Sequence, residues 1–376
     1  MIKKLDLQIT SYFFISIIIF AFFASESSYL AQNIIVPYIN MSPLYIHLAV
    51  TCILIITIVL FIKVKEIWLD LIFVFLCMRI ASSIIPLFYI SEAFESAGRV
   101  TVPIIAALAY FIGRQFTGDL RNIVKINIIF TVIISLQTLF TVQNMVVPHP
   151  SLYTQYVKIP LASSNLIAAY LTPSIFLTLA GYTGRWYIKY SVIALAFLAL
   201  IASTSDGGIL ILSLMFIVYK VYLNKNFKLT KVFVTLAIIL GVIYALINGE
   251  SLSKLTHGRY DLIIKDLSKW TDHLFFGNGM IYEGRGSGTH NIFVDLLVQN
   301  GLIGLFLYAA PLLILFKKIA NEKYNQVLGF KLYLVAALLH SLIETSYFNY
   351  INDMFFWFIT GVMISHTRKI DKLYYT

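Results

Sequence analysis

The sequence predicts an all-α fold, a polytopic bundle of transmembrane helices. Three observations predict it. The 376-residue chain is 59% hydrophobic and 12% charged, with a mean hydropathy of +0.84, a balance foreign to soluble domains of this length. Apolar runs of about 18 residues or more recur along the whole length, each long enough to cross a hydrocarbon core as a helix. The alternating segments of about ten residues that mark a membrane β-barrel are absent.

About twelve spans are expected, at 10–29, 44–62, 67–88, 100–113, 122–142, 160–180, 188–204, 206–223, 230–248, 291–316, 327–346 and 350–367. The fourth is short. The first follows Lys3 and Lys4 and is expected to stay as a helix, since no small-residue cleavage site stands near Ala24. With the N-terminus in the cytoplasm, 20 of the 28 Lys and Arg fall in cytoplasmic segments, seven lie outside, and Arg79 lies within a span. The positive-inside rule then fixes a multi-pass orientation with both termini cytoplasmic. The same split accounts for the net charge of +10 without nucleic acid. The partner that composition implies is the lipid bilayer.

No internal repeat and no low-complexity linker interrupts the chain, which reads as a single integral membrane domain, 1–376. Cytoplasmic connections are short, and no phosphate-binding glycine loop opens a helix there, so cytosolic nucleotide is not expected as a direct substrate. Cys52 and Cys77 fall inside apolar runs, and no Cys/His spacing fits a metal site. No cofactor is implied. The one long connection is 249–290, on the outer side between the ninth and tenth spans, and long loops among tight connections are usually functional.

That loop has two parts. In 251–270, Leu262, Ile263, Leu267 and Trp270 recur at helical spacing beside Arg259, Lys265 and Lys269. This predicts an amphipathic helix at the outer interface. Two roles stay open for it: an anchor alone, or a phosphate contact through Arg259 with His257, since a guanidinium bonds phosphate oxygens in pairs. In 276–290, Gly277, Gly279, Gly284, Gly286 and Gly288 surround Arg285. Such glycines let backbone approach a ligand or turn with positive φ, or else make a loose lid. Arg285 is a candidate contact.

The stretch GTHNIFVDLLVQNGLIG, 288–304, follows. Asn291, Asp295 and Gln299 stand at i, i+4 and i+8 and form one polar stripe on a helix. An ionisable group at membrane depth costs about 2.5–3.5 kcal/mol on insertion scales, so the stripe must face other helices or a wet cavity. For Asp295 and Gln299 a hydrogen-bonded seam is the expected role, with Gly301 and Gly304 allowing close packing. His290 stands at the outer mouth, where an imidazole titrating near neutrality can act as a general base. Arg79, Asp206, His340 and Glu344 are further ionisable groups placed towards the outer side. Arg79 bridging to Asp206, Asp295 or Glu344 is one reading of them, and a shared outer-facing cavity is the other.

At these residues a resemblance enters. His290-Asn291 followed by Gly301-Leu302-Ile303-Gly304 resembles the signature that closes the large outer loop of O-antigen ligases and of the related O-antigen and capsule polymerases of Wzy type. HGRYDLIIKDL and FFGNGM upstream, and STSDGGILIL at 203–212, resemble further stretches of that family, so the detailed match covers about 203–305. One departure bears on the reading. The ligase branch carries an arginine in the Ser-rich stretch, where this chain has Ser205-Asp206-Gly207; Arg79, Arg99 and Arg285 are the candidates to substitute for it. With no Thr-Thr pair after Gly304 either, the resemblance points to a polymerase rather than a ligase.

The resemblance implies a bacterial inner-membrane glycosyltransferase whose donor is an undecaprenyl-diphosphate-linked oligosaccharide, used for O-antigen or capsule. It implies His290 as base and Arg259 on the departing diphosphate, with Asn291, Arg285, His257, Arg79, Asp206 and Glu344 about the substrate. The implied displacement needs no metal. A chain-length regulator and a flippase are the implied protein partners. A transporter of lipid-linked oligosaccharide is the reading from another class. It favours repeated halves and interrupted helices, and the sequence is expected to have neither.

Overall fold

The computed structural model describes residues 51–56, 58, 70–89, 100–116, 118–143, 164–203, 205–223, 259–279, 291–320, 325–343 and 350–374. Among them the fold is all-α. Four helices are long and apolar enough to cross a membrane, over Leu71–Phe88, Leu120–Phe140, Ser164–Gly181 and Ile292–Ile319, and shorter apolar helices pack among them. The expected spans 10–29 and 230–248 lie outside the described residues.

Helix α1 (Leu71–Ile84) starts at Asp70, whose carboxylate accepts the Ile72 amide at 3.1 Å and so satisfies one orphan donor of the first turn. Its face of Ile72, Leu76 and Arg79 is buried, while Leu71, Val74 and Met78 stay exposed, as suits a lipid-facing side. A single 3₁₀ turn, Ile85–Phe88, ends it at Tyr89. The short expected span becomes α2 (Thr101–Arg114), buried over nearly its whole length. It returns to the head of α1, where Arg114 Nε and the Tyr110 hydroxyl both donate to Asp70 Oδ2, at 2.7 and 2.8 Å.

Helix α3 (Leu120–Gln143) turns Asn127, Thr131, Ser135 and Thr138 inward. Asn127 meets α4 (Ser164–Gly181), where the Ser174 hydroxyl donates to its Oδ1 at 3.0 Å. Helix α5 (Trp186–Ala202) begins with an exposed aromatic group, Trp186, Tyr187 and Tyr190, the composition of an interface belt. Lys189 reaches back to the Leu179 carbonyl at 3.1 Å, placing a cation at the negative end of α4. Helix α6 (Asp206–Leu223) follows. The predicted amphipathic helix is α7 (Arg259–Trp270), and the 251–258 part of that prediction lies outside the described residues. Helices α8 (Ile292–Ala320), α9 (Asn325–Ser341) and α10 (Tyr350–Tyr374) complete the bundle.

Lipid offers apolar surface no drive to leave it, so these helices associate through close approach and hydrogen bonds. The α2–α10 pair illustrates this. A Cβ at Gly113 would meet the Phe358 carbonyl, and one at Gly361 would meet the Tyr110 carbonyl. From 352 to 365, α10 is buried on every side, so it is the central helix about which α2, α8 and α9 gather.

Candidate functional site

The expected uninterrupted span 291–316 is broken. Gly301 has φ 66° and ψ −169°, a backbone state that stops the helix, so α8 is a short segment up to Asn300 followed by a long one from Leu302. A regular helix would bond the Leu302 and Ile303 amides to the Val298 and Gln299 carbonyls. Both bonds are replaced. The two amides donate to the Leu274 and Phe275 carbonyls, at 3.0 and 3.1 Å, and the two carbonyls accept from the Asn278 and Gly279 amides, at 2.8 and 3.0 Å. The segment after α7 thus sits in the break as a backbone clamp.

Glycine makes the fit feasible. A Cβ at Gly277 would strike the backbone of Gln299 and Asn300, and one at Gly301 would strike the backbone of Phe275. Gly277 and Gly279 are therefore neither a ligand cradle nor a loose lid; they serve the clamp. Gly301, expected to ease helix packing, is the break itself. Tyr89 secures the clamp from α1. Its hydroxyl donates to the Gly277 carbonyl at 2.6 Å, and its ring stands 4.5 Å from that of His273. Tyr89 is 43% exposed, and its partial burial pushes the hydroxyl above its ordinary range.

The head of α8 is the next part. The Asn291 carboxamide oxygen accepts the Phe293 and Val294 amides at 3.0 and 3.2 Å, an N-cap. Its Nδ2 donates to the Leu342 carbonyl at 3.0 Å, at the end of α9. The opening of α6 reaches the same place, because Gly207 lies against the Ile343 side chain. Ser205 caps α6 through the Gly208 amide at 3.2 Å and donates to Asn165 at 2.9 Å. Three stretches marked in the sequence, 205–208, 291 and 340–343, therefore converge. Asp295 and His340 are both buried.

Arg79 forms the third part. It is 1% exposed, and its NH1 lies 3.9 Å from a carboxylate oxygen of Asp353, which is equally buried. Among the described side chains Asp353 is thus a partner of Arg79 not expected from the sequence; the side chains of Asp206 and Glu344 lie outside the described ones. Trp357 Nε1 donates to the other Asp353 oxygen at 2.9 Å, and the Arg79 guanidinium lies 4.9 Å from the centre of the Tyr308 ring. The Ser83 hydroxyl donates to the Arg79 carbonyl at 2.9 Å and accepts from Asn300 Nδ2 at 3.2 Å. Asn300 is the last residue before the break, so the Arg79 group and the clamp are neighbours.

His290, His257, Arg285, Glu344 and Arg99 lie outside the described residues. Arg259 and Asp206 are described by their backbone, as the first residues of α7 and α6. Asp353, Tyr89 and His273 were not foreseen. Asp353 carried a signal, a carboxylate within the apolar run of the expected span 350–367, in the first turn of its helix. Among the described residues, no group of three His, Cys, Asp or Glu could hold a metal ion.

Fold and site together define a helical bundle with several helices fit to cross a membrane, one of them broken and re-sealed by a docked loop. No family model matches the chain, and no curated protein is similar to it.

Proposed function

We propose that this chain is a polysaccharide polymerase. It joins undecaprenyl-diphosphate-linked oligosaccharide units on the outer face of the bacterial cytoplasmic membrane, for O-antigen or capsule, and crosses that membrane about twelve times with both termini inside. The observation that carries the reading is the convergence at the end of α9. Asn291, which follows His290 in the sequence, bonds Leu342, and the Ser-rich opening of α6 packs on Ile343. Stretches that resemble the family's separate motifs thus meet at one place.

In this reading His290 takes the proton from the acceptor sugar hydroxyl. That oxygen bonds the donor's anomeric carbon with inversion, and the bond from that carbon to the diphosphate breaks. Undecaprenyl diphosphate leaves, its charge met by Arg259 through paired contacts. Arg79 is held by Asp353 in the bundle.

The transporter reading gains one observation, the break in α8, since interrupted helices mark transporter sites. The clamp weighs against it. The backbone groups that would hold an ion or a substrate are spent on 274–279.

Deleting the gene in its host and separating the surface glycan on a gel tests the proposal. A ladder that collapses to a single repeat unit on its normal anchor supports the polymerase. An anchor without glycan, beside long chains on the polyprenyl lipid, makes the protein a ligase. Single units trapped on the cytoplasmic face make it a transporter.

A further inference from the structure

Nine residues, from Ile292 to Asn300, separate the N-cap of α8 from its break. At about 1.5 Å per residue they form a rod of roughly 14 Å. One end of the rod is Asn291. The other is gripped by the clamp through Val298 and Gln299. The break replaces two of the helical bonds that would tie the rod to the rest of α8, those of the Leu302 and Ile303 amides, by bonds to the clamp; the Asn300–Ser83 bond and, at the far end, the Asn291–Leu342 bond hold the rod with it. The clamp is held in turn by three contacts. Asn278 Nδ2 donates to the Lys269 carbonyl at 3.0 Å, Trp270 Nε1 donates to the Leu274 carbonyl at 3.1 Å, and the Tyr89 hydroxyl donates to Gly277. The first two are local, within the loop. Tyr89 alone of these three ties the loop to another part of the chain, 188 residues away.

We propose that Tyr89 is a positioning residue: through Gly277 and the clamp it helps to set where the head of α8, with Asn291 at its start, stands. This rests on the polymerase reading for the reaction served, while the latch itself stands on the geometry. His273 takes part by packing against the Tyr89 ring, centroids 4.5 Å apart and planes tilted by 34°. The latch touches no reacting atom. It acts on rate through the head of α8, about 14 Å along the rod from the break, since small misplacements of reacting groups reduce rate steeply.

The test uses the full chain, purified in detergent for hydrogen exchange and reconstituted in vesicles with lipid-linked repeat units extracted from its host. In Tyr89→Phe, amides of 274–279 and 298–303 are expected to exchange faster together, by about fivefold, the equivalent of one hydrogen bond of about 1 kcal/mol. Exchange in α9 stays unchanged, and so does the yield of folded protein. The polymerisation rate at saturating donor, normalised to the folded protein recovered from size exclusion, falls several-fold while the apparent KM stays within about twofold; the normalisation is needed because loss of active protein alone gives the same split. His273→Ala should give a smaller rise in the same two segments. Unchanged exchange, or a rise in one segment alone, overturns the latch. A joint rise with an unchanged rate overturns positioning. Absence of polymer from the wild-type chain sinks the polymerase reading instead, and the exchange data still decide the latch.

Discussion

The guanidinium of Arg79 lies 3.9 Å from the carboxylate of Asp353, deep in the bundle on two helices that both pack against the broken helix α8. Neither side chain reaches solvent. Removing one member of such a pair strands a buried charge, at about 3–5 kcal/mol. Asp353→Ala is therefore expected to lower the unfolding temperature in detergent strongly, and Arg79→Met combined with Asp353→Leu to recover much of the loss. A double variant as unstable as the single one would show that the charges serve more than each other.

The break at Gly301 makes its own demand. Its φ and ψ fall in a region that side-chain-bearing residues enter at about 1–3 kcal/mol, and a Cβ there would also strike Phe275. Gly301→Ala should reduce the yield of monodisperse protein on size exclusion, and Gly304→Ala should reduce it less. Equal yields for Gly301→Ala and wild type would mean that α8 tolerates an unbroken course.

Asn291 has structural work to do whatever it also binds. Asn291→Ala loses the cap, worth about 1 kcal/mol, and the bond to Leu342. Asn291→Asp keeps the acceptor and loses the donor. Exchange at the Phe293 and Val294 amides should rise in the alanine variant and stay near wild type in the aspartate variant. If the aspartate variant polymerises normally, the Leu342 bond is dispensable to the reaction.

The proposed chemistry predicts a sharper phenotype. His290→Ala should abolish polymer growth while membrane insertion is unchanged, read from the glycan ladder and from membrane fractionation. Arg259→Lys should also be strongly impaired, because an ammonium does not reproduce paired contacts to phosphate. Normal-length polymer from the histidine variant removes the base, and full activity of the lysine variant leaves Arg259 an interface anchor.

Hydropathy placed several helices closely. The expected 206–223 is α6, and 122–142 lies within α3. Amphipathic spacing found α7. These features are local, set by residues a few positions apart. The break was hidden because Leu296, Leu297 and Val298 before Gly301 and Leu302 and Ile303 after it make one apolar run, and a glycine in such a run reads as a packing residue. Its cause lies in the backbone of 274–279, more than twenty residues upstream, which no periodicity announces. Asp353 was missed for a related reason: what gives it meaning is Arg79, on another helix.

The docked loop also has a bearing on how the protein is made. The clamp segment leaves the ribosome before α8, yet its partners exist only once α8 has followed it into the bilayer. Until they join, the two amides and two carbonyls beside Gly301 lack these partners, and each unmet backbone group costs several kcal/mol wherever water is excluded. Insertion of this helix is thus completed after translation of its neighbours. Substitutions at Gly277 or Gly301 are accordingly expected to act first on biogenesis, clearing the chain by membrane proteolysis before any enzyme assay could register a defect.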